Sequence, residues 1–312
     1  MEAVPQAVPP RSTRNPLLVA GGVLRLMRLR QWPKNAFVLA ALVFSGAFLH
    51  EGALIRALVA TFAFCLLSSA VYALNDLTDR HMDRLHPTKR RRPLASGLLK
   101  AWEGALVGCL SAIVGVGLCF AVSPRLALVG LGYLALNLVY SLVLKKIPVW
   151  DTLGVALGFV ARALAGAVAI AVVASPWLLT CTFLVTLYMS LSKRWAEETA
   201  VAQRAAGGSA RAGHGYRRTN AAIPVDLLRE YMVISMGASL VSYALYCLNS
   251  PHGSVELATL PFVVYGLFRF RYLANARLDM GQAPEETLLG DRPFLVNAAL
   301  WAVVALAVAV WP

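Results

Sequence analysis

The chain has 312 residues, 58% of them hydrophobic and 14% charged, with a net charge of +13 and a mean hydropathy of +0.63. A soluble domain carries about a quarter charged residues, so this composition excludes one and predicts a polytopic all-α membrane protein. The cationic excess fits positive-inside loops, anionic headgroups or anionic substrates.

Residues 1–16 are rich in proline and read as a disordered tail, with 17–312 as one integral-membrane domain. The apolar stretch after the tail is short and broken by Arg25, Arg28 and Arg30, unlike a signal peptide. Residues 17–33 read as a basic amphipathic segment at the membrane interface. Nine transmembrane helices follow, roughly 35–50, 54–74, 102–122, 125–144, 149–173, 175–192, 228–248, 255–272 and 294–311. On that count all cations except Arg56, Arg125 and Arg162 fall on one side, which predicts a cytoplasmic N-terminus. The five cysteines lie in apolar runs without metal-ligand spacing and read as small core residues.

The loop after the second span reads NDLTDRHMDRLHPTKRRRPLASG, residues 75–97. Asp76, Asp79 and Asp83 are spaced to share one face of a helix continuing out of that span. Like charges at that spacing repel by a few tenths of a kcal/mol per pair, and a divalent cation reverses the sign. Hard oxygen ligands with room for phosphate suit Mg²⁺, with Asn75 adding a neutral oxygen. The plainer alternative is a solvated helix end paired with Arg80 and Arg84. Lys89, Arg90, Arg91 and Arg92 lie between Pro87 and Pro93, which disfavours a regular helix. Such a turn can wrap a polyphosphate, or it can serve as a topology signal against headgroups.

Span five places Asp151 at its entrance and Arg162 about 16 Å deeper. A buried arginine costs several kcal/mol unless partnered, so Arg162 is a candidate anchor for an anion; the alternative is pairing with backbone carbonyls or a buried acid. Span six ends in Lys193, Arg194 and Glu197, either site residues or snorkelling ones. The Gly/Ala/Ser-rich stretch 205–215, followed by Tyr216, Arg217 and Arg218, reads as a mobile loop and candidate lid. The five histidines show no ligand spacing, and His81 and His86 read as surface residues.

NDLTDRHMD fits N-D-x-x-D-x-x-x-D and resembles the first aspartate signature of the UbiA superfamily of membrane prenyltransferases. Where typical members carry a second aspartate-rich motif after span six, this chain reads SKRWAEE. That departure resembles the decaprenyl-phosphate phosphoribosyltransferase branch, as do RQWPKN, HPTKRRRPLASG, SPWLL and APEETLLGDR. The resemblance implies Mg²⁺-dependent transfer of 5-phosphoribosyl from phosphoribosyl pyrophosphate to a polyprenyl phosphate, at the cytoplasmic face of the inner membrane. It implies Asn75, Asp76, Asp79 and Asp83 as metal and pyrophosphate residues, with Lys193 beside the three aspartates in catalysis. Lys34, Lys89, Arg90, Arg92 and Arg194 would bind phosphates, Lys145 and Arg162 would serve the acceptor side, and Tyr140 and Glu197 would line the substrates. The implied partners are those substrates and the membrane, with no nucleic acid, and an oligomer is compatible with them. Two rivals remain. A prenyltransferase acting on an aromatic acceptor would need a second metal-diphosphate motif. An anion or lipid transporter has no use for three clustered aspartates.

Overall fold

The structure, a computed structural model, describes residues 15–86, 88–206, 223–250, 253–276, 288 and 290–310, and within them it is all-helical. The candidate lid at 205–218 falls outside the described residues beyond Ala206, as does most of the tail. The helices are α1 Pro16–Met27, α2 Ala40–Phe44, α3 Glu51–Thr78, α4 Arg80–Leu85, α5 Ala101–Val122 and α6 Pro124–Leu142, then α7 Trp150–Ala169, α8 Pro176–Ala206, α9 Val225–Leu248, α10 Leu260–Ala276 and α11 Arg292–Val310.

Local chemistry sets several of these ends. Asn15 accepts a hydrogen bond from the Leu17 N–H with Pro16 at the first helical position, and Ser123 does the same for Leu126 before α6. Glu103 accepts from the Lys100 N–H at 2.6 Å and closes the start of α5.

Among the described residues five segments are long and apolar enough to cross a membrane: α3, α5, α6 with the turn after it, α7 and α9. The outward side of α5 is Leu106, Leu110, Ile113 and Phe120, all exposed, which suits hydrocarbon and not water. At 28 residues and 1.5 Å per residue, α3 is about 42 Å long. It outruns a hydrocarbon layer of about 30 Å, so its last turns carry the aspartates out of the apolar zone.

Small residues let the helices approach closely. A Cβ on Gly115 would lie 2.8 Å from the Leu67 side chain, and one on Gly154 would lie 2.8 Å from the Tyr140 ring. At Gly166 a Cβ would collide with the Val38 carbonyl.

The first expected span, 35–50, is not one helix. Leu29–Leu39 is a 3-10 segment containing Pro33, followed by the five residues of α2. Pro33 has no N–H to donate, and the buried Asn35 spends its side chain on Trp32 O, Ser68 and Arg162. Span five also ends early, at Ala169, with Ala171 in the left-handed region.

Candidate active site

The end of α3, α4, the turn after it, the end of α6, the start of α7 and the middle of α8 converge at one end of the bundle. The three aspartates do not sit on one continuous helix. α3 stops at Thr78, Asp79 caps it, and α4 restarts at Arg80. Asp76 is 2% exposed and Asp83 is 4% exposed, so Asp83 lies deeper than its distance from the span suggests.

Each acid meets a cation. Arg92 Nη1 donates to Asp76 Oδ1 at 3.1 Å and to Asp83 Oδ2 at 2.7 Å. Arg28 Nη2 also donates to Asp76 Oδ1, at 2.5 Å, with its guanidinium 4.8 Å over the Tyr72 ring. Lys145 reaches Asp79 at 2.9 Å. Arg194 bridges from α8 to Asp151 on α7 at 2.5 Å. A guanidinium shared between two nearly buried carboxylates is a strong clamp, because each bond is charge-assisted.

Backbone strain marks two of these positions. Arg28 has φ 53 and Val149 has φ 69. A non-glycine residue there costs on the order of 1–3 kcal/mol. Arg28 is held by Asp76 and Tyr72. The Val149 turn sets the angle at which α7 begins and presents Asp151, with Thr152 donating back to the Val149 carbonyl at 2.7 Å.

Lys89–Arg91 forms a single 3-10 turn and Arg92 is extended, in keeping with the two flanking prolines. His86 shapes the turn: its Nδ1 faces the Thr88 and Lys89 N–H groups at 3.3 and 3.4 Å. Burial and then the neighbouring Lys89 hold that ring below its usual range. Arg84 fastens the turn from the other side by donating to the Ala95 carbonyl. Arg90 stands beside this turn with Lys89, and Lys193 is exposed one residue before Arg194. Glu197 follows one turn later on α8, next to Glu198, whose carboxyl is pushed up by burial and then by Glu197.

Other expected site residues are turned inward. Asn75 is not offered to the carboxylates; its Oδ1 accepts from Ser141 on α6 at 2.5 Å. Arg162, 6% exposed, donates to Asn35 Oδ1, the Gly158 carbonyl and the Tyr133 hydroxyl, each at 2.8 Å. It also stacks over Tyr133 and Phe159. The expected anion anchor is thus built into the helix packing by neutral partners. Tyr140 packs on Gly154, and Lys34 is half-buried next to Asn35 in the 3-10 segment.

Among the described residues no three acids are gathered as a metal site. The donor chemistry nonetheless fits a hard cation. Asp76 and Asp83 already converge on one positive point, the Arg92 Nη1, and the Arg92 side chain is 29% exposed, so it has room to withdraw toward solvent. Asp79, 35% exposed and tied to the lysine of another helix, is the nearest third carboxylate by sequence.

Sequence reasoning missed Arg28, Tyr72 and Asp151 as members of this cluster. Arg28 looked like one more interfacial cation, and only the fold shows that it spans 48 residues to Asp76. Asp151 carries no local signal of its partner, which lies on α8.

The profile of the UbiA prenyltransferase family matches residues 36–283. A decaprenyl-phosphate phosphoribosyltransferase from Corynebacterium glutamicum is 33% identical, over 95% of this chain and 90% of its own length. Its counterpart from Mycobacterium tuberculosis is 31% identical, over 95% of this chain and 97% of its own. Among solved structures, a UbiA homolog from Archaeoglobus fulgidus bound to GPP and Mg²⁺ superimposes with a TM-score of 0.68 at 20% identity, over 92% of this chain and 99% of that one. At that identity the likeness establishes the fold.

Proposed function

The chain belongs to the UbiA prenyltransferase family, and on that premise we propose that it transfers 5-phosphoribosyl from phosphoribosyl pyrophosphate to a polyprenyl phosphate, releasing pyrophosphate. The observation that carries this reading over ordinary prenyl transfer is the pair Lys193–Arg194 on α8. It stands where the family resemblance leads one to expect a second set of metal-binding aspartates. A single acid cluster opposite a cationic rim suits a donor with a pyrophosphate at one end and a lone phosphate at the other. The names of the two relatives, matched over nearly their whole lengths, support the same substrates.

The acceptor nucleophile is a phosphate monoester oxygen. Its second pKa is about 6, so it is ionised near neutrality and no general base is needed. That oxygen attacks C1 of the ribose while the bond from C1 to the pyrophosphate oxygen breaks, and the electron pair leaves with pyrophosphate. Mg²⁺ held by Asp76, Asp79 and Asp83 would supply countercharge to that leaving group. Arg92 and Arg28, exchanging carboxylate partners for phosphate oxygens, add fixed donors, with Lys89 and Arg90 beside them. Lys193 takes the 5-phosphate, and Lys145 flanks the acceptor. Holding two anions in line supplies much of the remaining acceleration. The asymmetry of cations along the chain supports nine crossings with this end of the bundle in the cytoplasm.

Incubation of the purified protein with phosphoribosyl pyrophosphate, decaprenyl phosphate and Mg²⁺, followed by mass spectrometry of the lipid, tests the reading. The expected product is the acceptor plus one phosphoribosyl group. A product formed instead from a prenyl diphosphate and an aromatic acid would overturn it.

A further inference from the structure

A cleft of about 230 Å³ opens between α8, α10 and α11. Val185, Met189, Phe262, Leu267, Phe294 and Trp301 line it. Its polar atoms are already engaged: Asn297 donates to the Phe262 carbonyl at 2.9 Å, and Trp301 Nε1 donates to the Tyr243 hydroxyl at 3.1 Å. The cleft therefore offers hydrocarbon contact and no hydrogen bonds. A cavity of about 150 Å³ takes a benzene, so this one has room for about two isoprene units.

One turn beyond Leu267, on the same face of α10, stands Arg271. Its guanidinium lies 4.4 Å over the Trp195 ring and faces the Met232 sulfur at 3.6 Å. Arg229, exposed near the start of α9, stands one turn before Met232 on the same face of that helix, the face that meets Arg271. Among the described residues no carboxylate pairs with Arg271, whereas Arg269, two positions away, forms a two-point bridge to Asp291 at 2.9 and 3.1 Å. Trp195, Met232 and the cleft residues Leu267 and Phe270 belong to one packed cluster. An aromatic face and a thioether hold the guanidinium in place, and neither offers a carboxylate.

Two cations above an apolar cleft match an amphiphile with an anionic head. We propose that this is the acceptor seat: an isoprenoid monophosphate lays its first units in the cleft and sets its phosphate on Arg271 and Arg229. The proposal rests on the phosphoribosyl-transfer reading for the occupant's role, and it also gives the transfer a direction. Trp195 is the residue after Arg194, whose bridge to Asp151 forms part of the donor rim. A phosphate on Arg271 would thus approach the donor from the α8 side.

Equilibrium binding to the detergent-solubilised protein, without donor or turnover, tests this apart from the reaction. The probes are farnesyl phosphate, farnesol, inorganic phosphate, phosphatidylglycerol vesicles and phosphoribosyl pyrophosphate. Arg271→Gln should weaken farnesyl phosphate about tenfold or more, the worth of a charged hydrogen bond, and leave farnesol unchanged. Arg229→Gln, at an exposed position where folding is not at stake, should weaken it in the same direction. Gly266→Leu, which fills the cleft, should weaken farnesyl phosphate and farnesol alike and spare inorganic phosphate. Phosphoribosyl pyrophosphate should bind all three variants as it binds the parent. Loss of phosphoribosyl pyrophosphate binding in Arg271→Gln, with farnesyl phosphate intact, would assign the cations to the donor and overturn the proposal. So would equal competition by phosphatidylglycerol, which would make the site a general headgroup contact. Farnesyl phosphate binding that follows these variants in a protein unable to use phosphoribosyl pyrophosphate would uphold the seat and remove only the assigned reaction.

Discussion

Arg92→Ala separates the clamp from the metal it would give way to. Arg92 Nη1 serves Asp76 and Asp83 together, at 3.1 and 2.7 Å. Charged hydrogen bonds are worth about 1.5–3 kcal/mol each, and the 29% exposure of the arginine argues for the lower end through solvent screening. Asp76 keeps Arg28 in the variant, but Asp83 loses its ion-pair partner among the described residues. The expected loss is about 3 kcal/mol, and at about 2 °C per kcal/mol for a chain of this size the unfolding midpoint in detergent falls by about 6 °C. Millimolar Mg²⁺ should then raise the midpoint more in Arg92→Ala than in the parent, since a divalent cation competes with no guanidinium for the two carboxylates. Adding Asp76→Asn to Arg92→Ala should abolish that extra gain. A variant as stable as the parent, with the same Mg²⁺ response, would refute the idea that Arg92 holds the two acids where a metal would sit.

Four further outcomes follow from the same geometry. Asp79→Ala should abolish turnover yet leave a folded protein, because Asp79 is 35% exposed; full activity in the lipid assay would remove it from the site. Lys193→Ala should lower affinity for phosphoribosyl pyrophosphate about tenfold and spare free pyrophosphate, which competition binding would read; equal losses would move Lys193 to the pyrophosphate end. Arg162→Gln should destabilise the fold by about 3 kcal/mol or more, since it leaves buried partners unsatisfied, and a thermal melt showing no change, together with weakened substrate binding, would restore it as an anion anchor. Finally, the His86 ring sits below its ordinary range in the fold, so the unfolded chain binds its proton first. The His86 contribution is complete above the unfolded value of about 6.5 and fades as pH falls through the folded one. His86→Asn should flatten that part of a stability profile between pH 7.5 and 5, and an unaltered profile would assign the dependence elsewhere.

Long apolar runs made the helical class and most elements legible, since α3, α5, α6, α7 and α9 follow their predicted spans within a few residues. Two elements departed: α8 runs on to Ala206, past the expected end at 192, and at 35–50 apolar composition concealed the buried Asn35, which follows Pro33 in a 3-10 segment. Hydropathy cannot see that a 3-10 segment must lie against Gly166. The irregular turn at Lys89–Arg92 was readable because its flanking prolines are local, whereas the single helix expected for Asp76, Asp79 and Asp83 breaks at Asp79. Arg28 and Asp151 were not readable, since each has its partner on an element distant in sequence. Arg162 was legible only as a buried cation in need of partners: the Gly158 carbonyl is one of the kinds expected, whereas the neutral partners Asn35 and Tyr133 left no trace in any spacing.

The bond from Arg162 to Asn35 joins residues 127 positions apart. At about 5–20 residues per second, Asn35 leaves the ribosome roughly 6–25 s before its partner exists. During that interval Asn35 can bond Trp32, Cys65 and Ser68, but neither Arg162 nor the Gly166 surface is there to meet its segment. Enclosure is therefore out of step with chain order: the first segment made can rest on α3 early but is covered on its other side only once α7 is in place. A nascent chain stalled before α7 would hold its amino-terminal segment on α3 alone, through Ser68 and Ser69, with the face that meets Gly166 left uncovered.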